Sequence, residues 1–222
     1  MKVLNISKKL QVLLATVVLC CSPGLQGLIK AQPLPAVTPP SLIVGLVVDG
    51  MRADWVDRYW HLLGEGGIKK LFTQGLSFSE ATVPFLMADI GSSHASISTG
   101  ATPALHGIIS ARWHNRISRE EIHCTSDHTA RPVGSLSVRG RHSPRYLLTP
   151  TINDMLLMAS VDKSKVVTVS LQPESSVLLA GHRPSSCYWF NTADGTWISS
   201  NHYLNQLPQW VNQYNHRNVA GN

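Results

Sequence analysis

The sequence has no C-x-x-C and no H-E-x-x-H spacing, and so carries no self-contained metal motif. It shows no internal repeat, which argues against solenoids and propellers. It lacks a long apolar run near its start: Leu10 to Cys21 is about a dozen residues, too short to span a bilayer comfortably. Cysteine is scarce, four in 222 residues, and Cys20 and Cys21 fall in that run. Cys124 and Cys187 remain. An exported protein could pair them, and two buried thiols fit as well. A strong excess of one charge is also missing. Removing Lys2, Lys8, Lys9 and Lys30 leaves 15 basic and 13 acidic residues, a formal +2 in place of +6. So near-neutral a balance gives no electrostatic case for nucleic acid.

What is present begins with an export signal. Met1 to Lys9 is a short basic start, Leu10 to Cys21 is the apolar stretch, and Pro23 and Gly24 break it. Residues 1–31 read as a signal peptide cleaved near Ala31-Gln32, predicting a periplasmic or secreted protein with no stable membrane insertion after cleavage. An uncleaved anchor is the competing reading. A lipoprotein site at Cys20 fits less well, because Leu19 is not the small residue such processing requires. Residues 32–40 hold four prolines and read as an extended linker. Residues 41–222 are long enough for one α/β domain with a sizeable core.

Leu42 to Arg52 reads Leu-Ile-Val-Gly-Leu-Val-Val-Asp-Gly-Met-Arg. An apolar run without polar alternation predicts a strand buried on both faces in a mostly parallel sheet. Asp49 then stands at its carboxyl end, where open α/β sheets gather ligands. An acid there is a metal ligand or a helix cap, and Asp-Gly is also common turn chemistry.

Further on, Asp54 to Leu63 and Ile68 to Gln74 predict short helices, with Gly75 as a stop. Leu76 to Val83 predicts a strand, and Pro84 to Ser92 a loop. His94 to Thr99 predicts a helix ended by Gly100. Trp113 to Arg145 is polar and predicts loops with short strands. Thr151 to Ser160 predicts a helix with Ile152, Met155, Leu156 and Ala159 on one face. Lys165 to Leu171 and Val177 to Ala180 read as strands. Cys187 to Phe190 and Thr196 to Ser199 flank Asn-Thr-Ala-Asp-Gly, a hairpin signal. Pro208 to Tyr214 predicts a terminal helix. Strands alternating with helices give an α/β layered domain.

Several motifs stand in one order. They are Val47-Val48-Asp49-Gly50-Met51-Arg52, Ser93-His94-Ala95-Ser96 through Pro103, His106-Gly107-Ile108, Ser143-Pro144-Arg145, Thr151-Ile152-Asn153-Asp154, Val169-Ser170-Leu171, Ala180-Gly181-His182 and Tyr188-Trp189-Phe190. Together they resemble the alkaline phosphatase and nucleotide pyrophosphatase/phosphodiesterase superfamily, and within it the N-terminal half of a bacterial exported alkaline phosphatase. The resemblance implies an α/β/α sandwich with a mostly parallel central sheet. It also implies two zinc ions, a Ser or Thr nucleophile and a phosphate-ester substrate. Asp49 matches a family metal ligand. The family's other ligands lie in the later half of the fold, and one acid cannot hold zinc alone.

The departures from that pattern are specific. The family's nucleophile, four residues before the histidine matching His94, falls on Ile90. Ser92 and Ser93 lie nearby as substitute candidates, and either is also suited to capping the helix. The family's phosphate-contacting Asn falls on Ala111, and its Lys and Arg fall on Gln172 and Glu174. A bare Glu174 carboxylate there repels phosphate. These substitutions favour impaired catalysis, or a non-catalytic member that serves as a ligand- or partner-binding scaffold. His94 and His182 read as structural. His123, Cys124, His128 and His142 are irregularly spaced and favour a solvated loop over a zinc cluster. Trp113, Trp189, Trp197 and Trp210 read as packing residues.

Overall fold

The computed structural model describes residues 40–217. Residues 1–39, which hold the expected signal peptide and nearly all of the expected linker, lie outside them. The chain divides into two units, Met1–Val48 and Asp49–Asn222. No helix among the described residues is long and apolar enough to cross a membrane.

The described part of the first unit corrects the strand expected at Leu42–Val48. These residues join no strand, and each is exposed, Leu42 at 76% and Val44 at 79%. A β-branched apolar run signals that burial is favourable but does not name the strands that supply it. A strand is stable only with paired neighbours, and none pairs here among the described residues.

The second unit opens with α1 (Asp54–Arg58), a 3-10 turn (Trp60–Leu62) and α2 (Gly67–Gln74). Leu76–Val83, expected as a strand, is irregular and exposed. Next come α3 (Ile90–Thr99), α4 (Pro103–His106), the hairpin β1 (Arg112–His114) and β2 (Glu121–His123), and β3 (Pro132–Val133). After a second 3-10 turn (Val138–Gly140) follow α5 (Ile152–Ala159), β4 (Val167–Ser170), α6 (Pro173–Ala180), β5 (Ser186–Asn191), β6 (Thr196–Ser200) and α7 (Gln209–His216). The larger sheet has the order β3-β6-β5-β4. It is mixed: β4 runs parallel to β5, while β5–β6 and β6–β3 are antiparallel.

Val177–Ala180, expected as a strand, is the last turn of α6. Pro173 begins that helix at a position where its missing N–H costs nothing. The helix is buried on two faces. Leu178 packs with Ala95, Ile108, Cys124 and Leu147, while Val177 and Ala180 pack with Cys187, Trp189 and Ile198. It thus forms the middle layer between α3 and the sheet, the arrangement of an α/β layered domain.

α5 forms where expected but turns its other face inward. Ile152 and Met155 are exposed, at 69% and 53%, whereas Asp154 and Leu157 are buried. Hydrogen bonding decides the orientation. Asp154 closes a capping box with Thr151 and also accepts from the backbone N–H of His182 and Arg183 and from the His182 ring. Gly181, at φ +84, lets the loop come this close, because a Cβ there would overlap Thr151 and Asp154. Burial works to raise the Asp154 pKa, but the His182 ring, Thr151 and the backbone donors outweigh it, leaving it below 3.8.

Cys124 and Cys187 are both free and buried. Burial pushes each thiol up to about 12, so neither forms the reactive thiolate near neutral pH. With Cys20 and Cys21 replaced by serine, a chromogenic thiol reagent should label the folded protein negligibly and two thiols after denaturation; fast labelling of the native state contradicts this. Asp154→Ala strands at least four donors and should cost about 2–4 kcal/mol by urea unfolding at pH 7. Because the folded carboxyl lies below its unfolded value of 3.8, its contribution is complete above that pH and lost as pH falls through the folded value. The wild type–variant gap should therefore narrow in acid.

Candidate functional site

Ile90, Ser92, Ala111, His123 and Glu174, singled out in the sequence, lie where α3, β2 and α6 meet, whereas His182 and His128 lie against other groups. Asp89 caps α3: its Oδ1 accepts the Ser92 N–H at 3.0 Å, and the Ser92 hydroxyl accepts the Asp89 N–H at 3.2 Å. Asp89 Oδ2 takes the Ser110 hydroxyl and the Ala111 N–H, each at 2.6 Å. Burial raises the Asp89 pKa, but these donors outweigh it and hold the carboxyl below its ordinary value. Gly91 is required, because a Cβ there would sit 2.7 Å from the Ala111 nitrogen.

This cap defines the two serine candidates. Ser92 is fully buried, and its hydroxyl faces the Met87 carbonyl and Asp89. It is a capping residue, one of the readings its position allowed. Ser93 is half-buried, and no basic side chain is hydrogen-bonded to its hydroxyl among the described residues. Ile90, at the family's nucleophile position, begins the helix.

Asp49 is half-exposed, and its Oδ2 lies 3.8 Å from Nε2 of buried His94. His94 Nδ1 donates to the Ile90 carbonyl at 2.7 Å, tying the ring to its own helix. Among the described residues no group of three or more His, Cys, Asp or Glu side chains could hold a metal. Asp49 with one neighbouring imidazole falls short of the three or four ligands zinc takes, so these residues alone do not fit the ion. His182 is structural: its ring contacts Asp154 and the Leu147 carbonyl.

Glu174 corrects the expectation of a bare repelling charge. Its Oε1 lies 2.6 Å from His123 Nε2, with both side chains largely buried. Thr125 directs its N–H at His123 Nδ1 (3.4 Å), so Nδ1 accepts and Nε2 carries the proton toward Glu174. The Thr125 hydroxyl lies 3.3 Å from His123 Nδ1 and 2.9 Å from His142 Nδ1. Burial raises the Glu174 pKa, but the His123 hydrogen bond, its own N–H and the nearby imidazoles leave it lowered. Burial drives His142 down to about 4, assisted by His123. The loop expected around His123 and His142 is thus an ordered polar cluster. Its link to Glu174 crosses 51 residues, and no local sequence signal marks such a pairing.

Known proteins resemble this chain in sequence and in fold. Residues 43–218 match the family model described as type I phosphodiesterase / nucleotide pyrophosphatase. The chain is 42% identical to the alkaline phosphatase PafA of Elizabethkingia meningoseptica, over 87% of its own length and 36% of that protein's. It is 37% identical to the alkaline phosphatase PhoV of Synechococcus elongatus, covering 89% of this chain and 37% of that one. The crystal structure of wild-type PafA superposes with a TM-score of 0.81 at 42% identity, covering 83% of this chain and 36% of the other. The chain therefore spans about a third of the length of these relatives. A match over most of the sequence and a shared α/β fold lead to one conclusion: the chain belongs to the type I phosphodiesterase / nucleotide pyrophosphatase family.

Proposed function

We propose that this chain is an exported member of the phosphoric-ester hydrolases whose catalysis, in residues 1–222, is impaired. The start of α3 carries this reading. Ile90 replaces the expected hydroxyl, and Ser92 is bonded into the helix cap. A hydroxyl nucleophile needs a base or a metal to activate it, and Ser93 has no hydrogen-bonded base among the described residues. Family resemblance assigns two zinc ions to the reaction, with Asp49 as one ligand. Zinc would polarise the phosphoryl group and activate the nucleophile. Ala111, Gln172 and Glu174 offer no unpaired cation to a phosphate ester. The substrate class, a small phosphate ester, follows from relatives that are alkaline phosphatases.

The same substitutions support a second reading, a non-catalytic family member that binds a ligand or partner. Purified residues 32–222 with added zinc should hydrolyse neither an aryl phosphate monoester nor an aryl phosphodiester above background. Turnover abolished by Asp49→Ala, or by Ser92→Ala with Ser93→Ala, overturns the impairment. Loss of one charge-stabilising donor typically lowers rate about a hundred- to a thousandfold, so the deficit should be plain against an active relative. For export, N-terminal sequencing of protein recovered outside the cytoplasm should begin near Gln32. A cytoplasmic chain retaining Met1 rejects that part.

A further inference from the structure

We infer that the cavity between the end of α5 and the Gly181–Arg183 loop is a site for a free apolar α-amino acid. The cavity holds about 250 Å³, which suits a ligand smaller than a typical drug. None of Asp49, Ile90, Ala111, Gln172 and Glu174 lines it, so the inference goes beyond the hydrolase reading and does not rest on it. Leu157 is the buried apolar base, and Leu148, Pro150 and Met158 are exposed apolar walls. The rest of the lining is charged, and geometry divides it in two. Asp154 and His182 are spent on structure. Asp154 accepts from Thr151, from the His182 ring and from two backbone N–H groups, and the other His182 ring nitrogen faces the Leu147 carbonyl. Asp162 and Arg183 are free. Asp162 Oδ2 and Arg183 Nη2 lie 3.8 Å apart, too far for a hydrogen bond. Among the described residues neither side chain has another charged partner.

Both charges are held in place by backbone. Val161 and Asp162 follow α5 with φ 52 and 58, left-handed values that a β-branched residue rarely adopts. The Asp162 N–H donates to the Leu157 carbonyl at 2.9 Å, which turns the chain back beside the helix end and sets Asp162 at the cavity. On the other side, the Arg183 N–H donates to Asp154 Oδ1 at 3.1 Å and fixes the backbone from which the guanidinium extends. An exposed ion pair at this separation contributes little by itself, so each charge remains available to a ligand. A guanidinium binds a carboxylate through forked donors, and a carboxylate binds an ammonium. A free α-amino acid carries both groups on one carbon, complementary to Arg183 and Asp162 together. Its side chain then enters the apolar part of the cavity, where Met158 can adjust to its shape. A ligand with one charge leaves Arg183 or Asp162 unmatched, and glycine leaves the apolar volume unfilled.

The test titrates the full chain with L-leucine and L-methionine, following heat of binding and the methyl resonance of carbon-13-labelled Met158. Isoamylamine, which lacks the carboxylate, 4-methylpentanoate, which lacks the ammonium, and glycine serve as comparison ligands at matched ionic strength. Wild type should bind both amino acids saturably and shift the Met158 methyl. Each comparison ligand should bind about ten- to a hundredfold more weakly, the range lost with one charged hydrogen bond. Arg183→Gln and Asp162→Asn should each weaken leucine by a similar factor, and Arg183→Lys should weaken it less than Arg183→Gln, since it keeps the charge without the fork. No saturable response to either amino acid by about 20 mM, a weak limit for so small a ligand, overturns the inference. Equal binding of isoamylamine or 4-methylpentanoate also overturns it, as does a folded Arg183→Gln or Asp162→Asn that binds leucine like wild type. If a polar variant does not fold, Met158→Asp on the exposed wall decides: it should weaken leucine at least about tenfold, and unchanged binding overturns the inference. No hydrolysis is measured, so this result and the activity assay fail independently.

Discussion

The Asp89 carboxylate is the constraint on which the centre of the molecule depends. One oxygen accepts from the start of α3, and the other accepts from Ser110 and Ala111. The carboxylate thus fastens a helix to a segment about twenty residues away and fixes where β1 begins. The close approach requires Gly91, which leaves room for the Ala111 backbone. α3 then presents Ala95 to Ile108, Cys124 and Leu178, joining it to α6. Ser98 adds a hydroxyl bond to the Leu178 carbonyl at 2.8 Å. Loss of the Asp89 acceptor would leave several donors at a buried junction without a partner, which costs more than the bonds themselves gain.

A common chemistry runs through the acids of this region. Asp89, Asp154 and Glu174 are all lowered despite burial, and Asp127 falls to about 2 through hydrogen bonds from Ser143 and Thr129 and the charge of Arg145. Carboxylates saturated with donors are good structural acceptors and weak bases near neutral pH. The imidazoles are held similarly, His94 by the Ile90 carbonyl and His182 by Asp154 and Leu147. A family whose members transfer phosphoryl groups therefore appears here with its ionisable groups engaged in holding loops.

Legibility in the sequence followed the range of the interaction. The β5–β6 hairpin was readable because Asn191 to Gly195 carries local turn chemistry. Gly100, left-handed at φ 66, was readable as the end of α3. The start of α3 was less so: its cap is Asp89 with Ser92, not the commoner Ser or Thr with Glu. α6 was misread because Val177 to Ala180 resembles a short strand, although Pro173 marks a helix start. α5 shows a deeper limit. Its apolar stripe predicted the buried face, but the Asp154 bonds to the Gly181–Arg183 loop fixed the opposite one. Hydrophobic periodicity reports what an isolated helix would bury, and a polar anchor from elsewhere can override it.

Glu174 and His123 also change how the substituted site should be regarded. Read one position at a time, an acid at Glu174 is a reversed charge. In the fold it is half of a pair, and each half is costly without the other, since a buried carboxylate needs its donor and a buried N–H its acceptor. A single change of Glu174 to a basic residue would aim a second donor at the His123 Nε2–H, which already points outward from Thr125. Donor would face donor in a poorly solvated place. A positive charge at this position therefore requires a new partner at His123 as well. The cluster is satisfied within itself, with Glu174, His123, Thr125 and His142 linked in sequence, so no member can change its hydrogen-bonding character without leaving its neighbour unpaired.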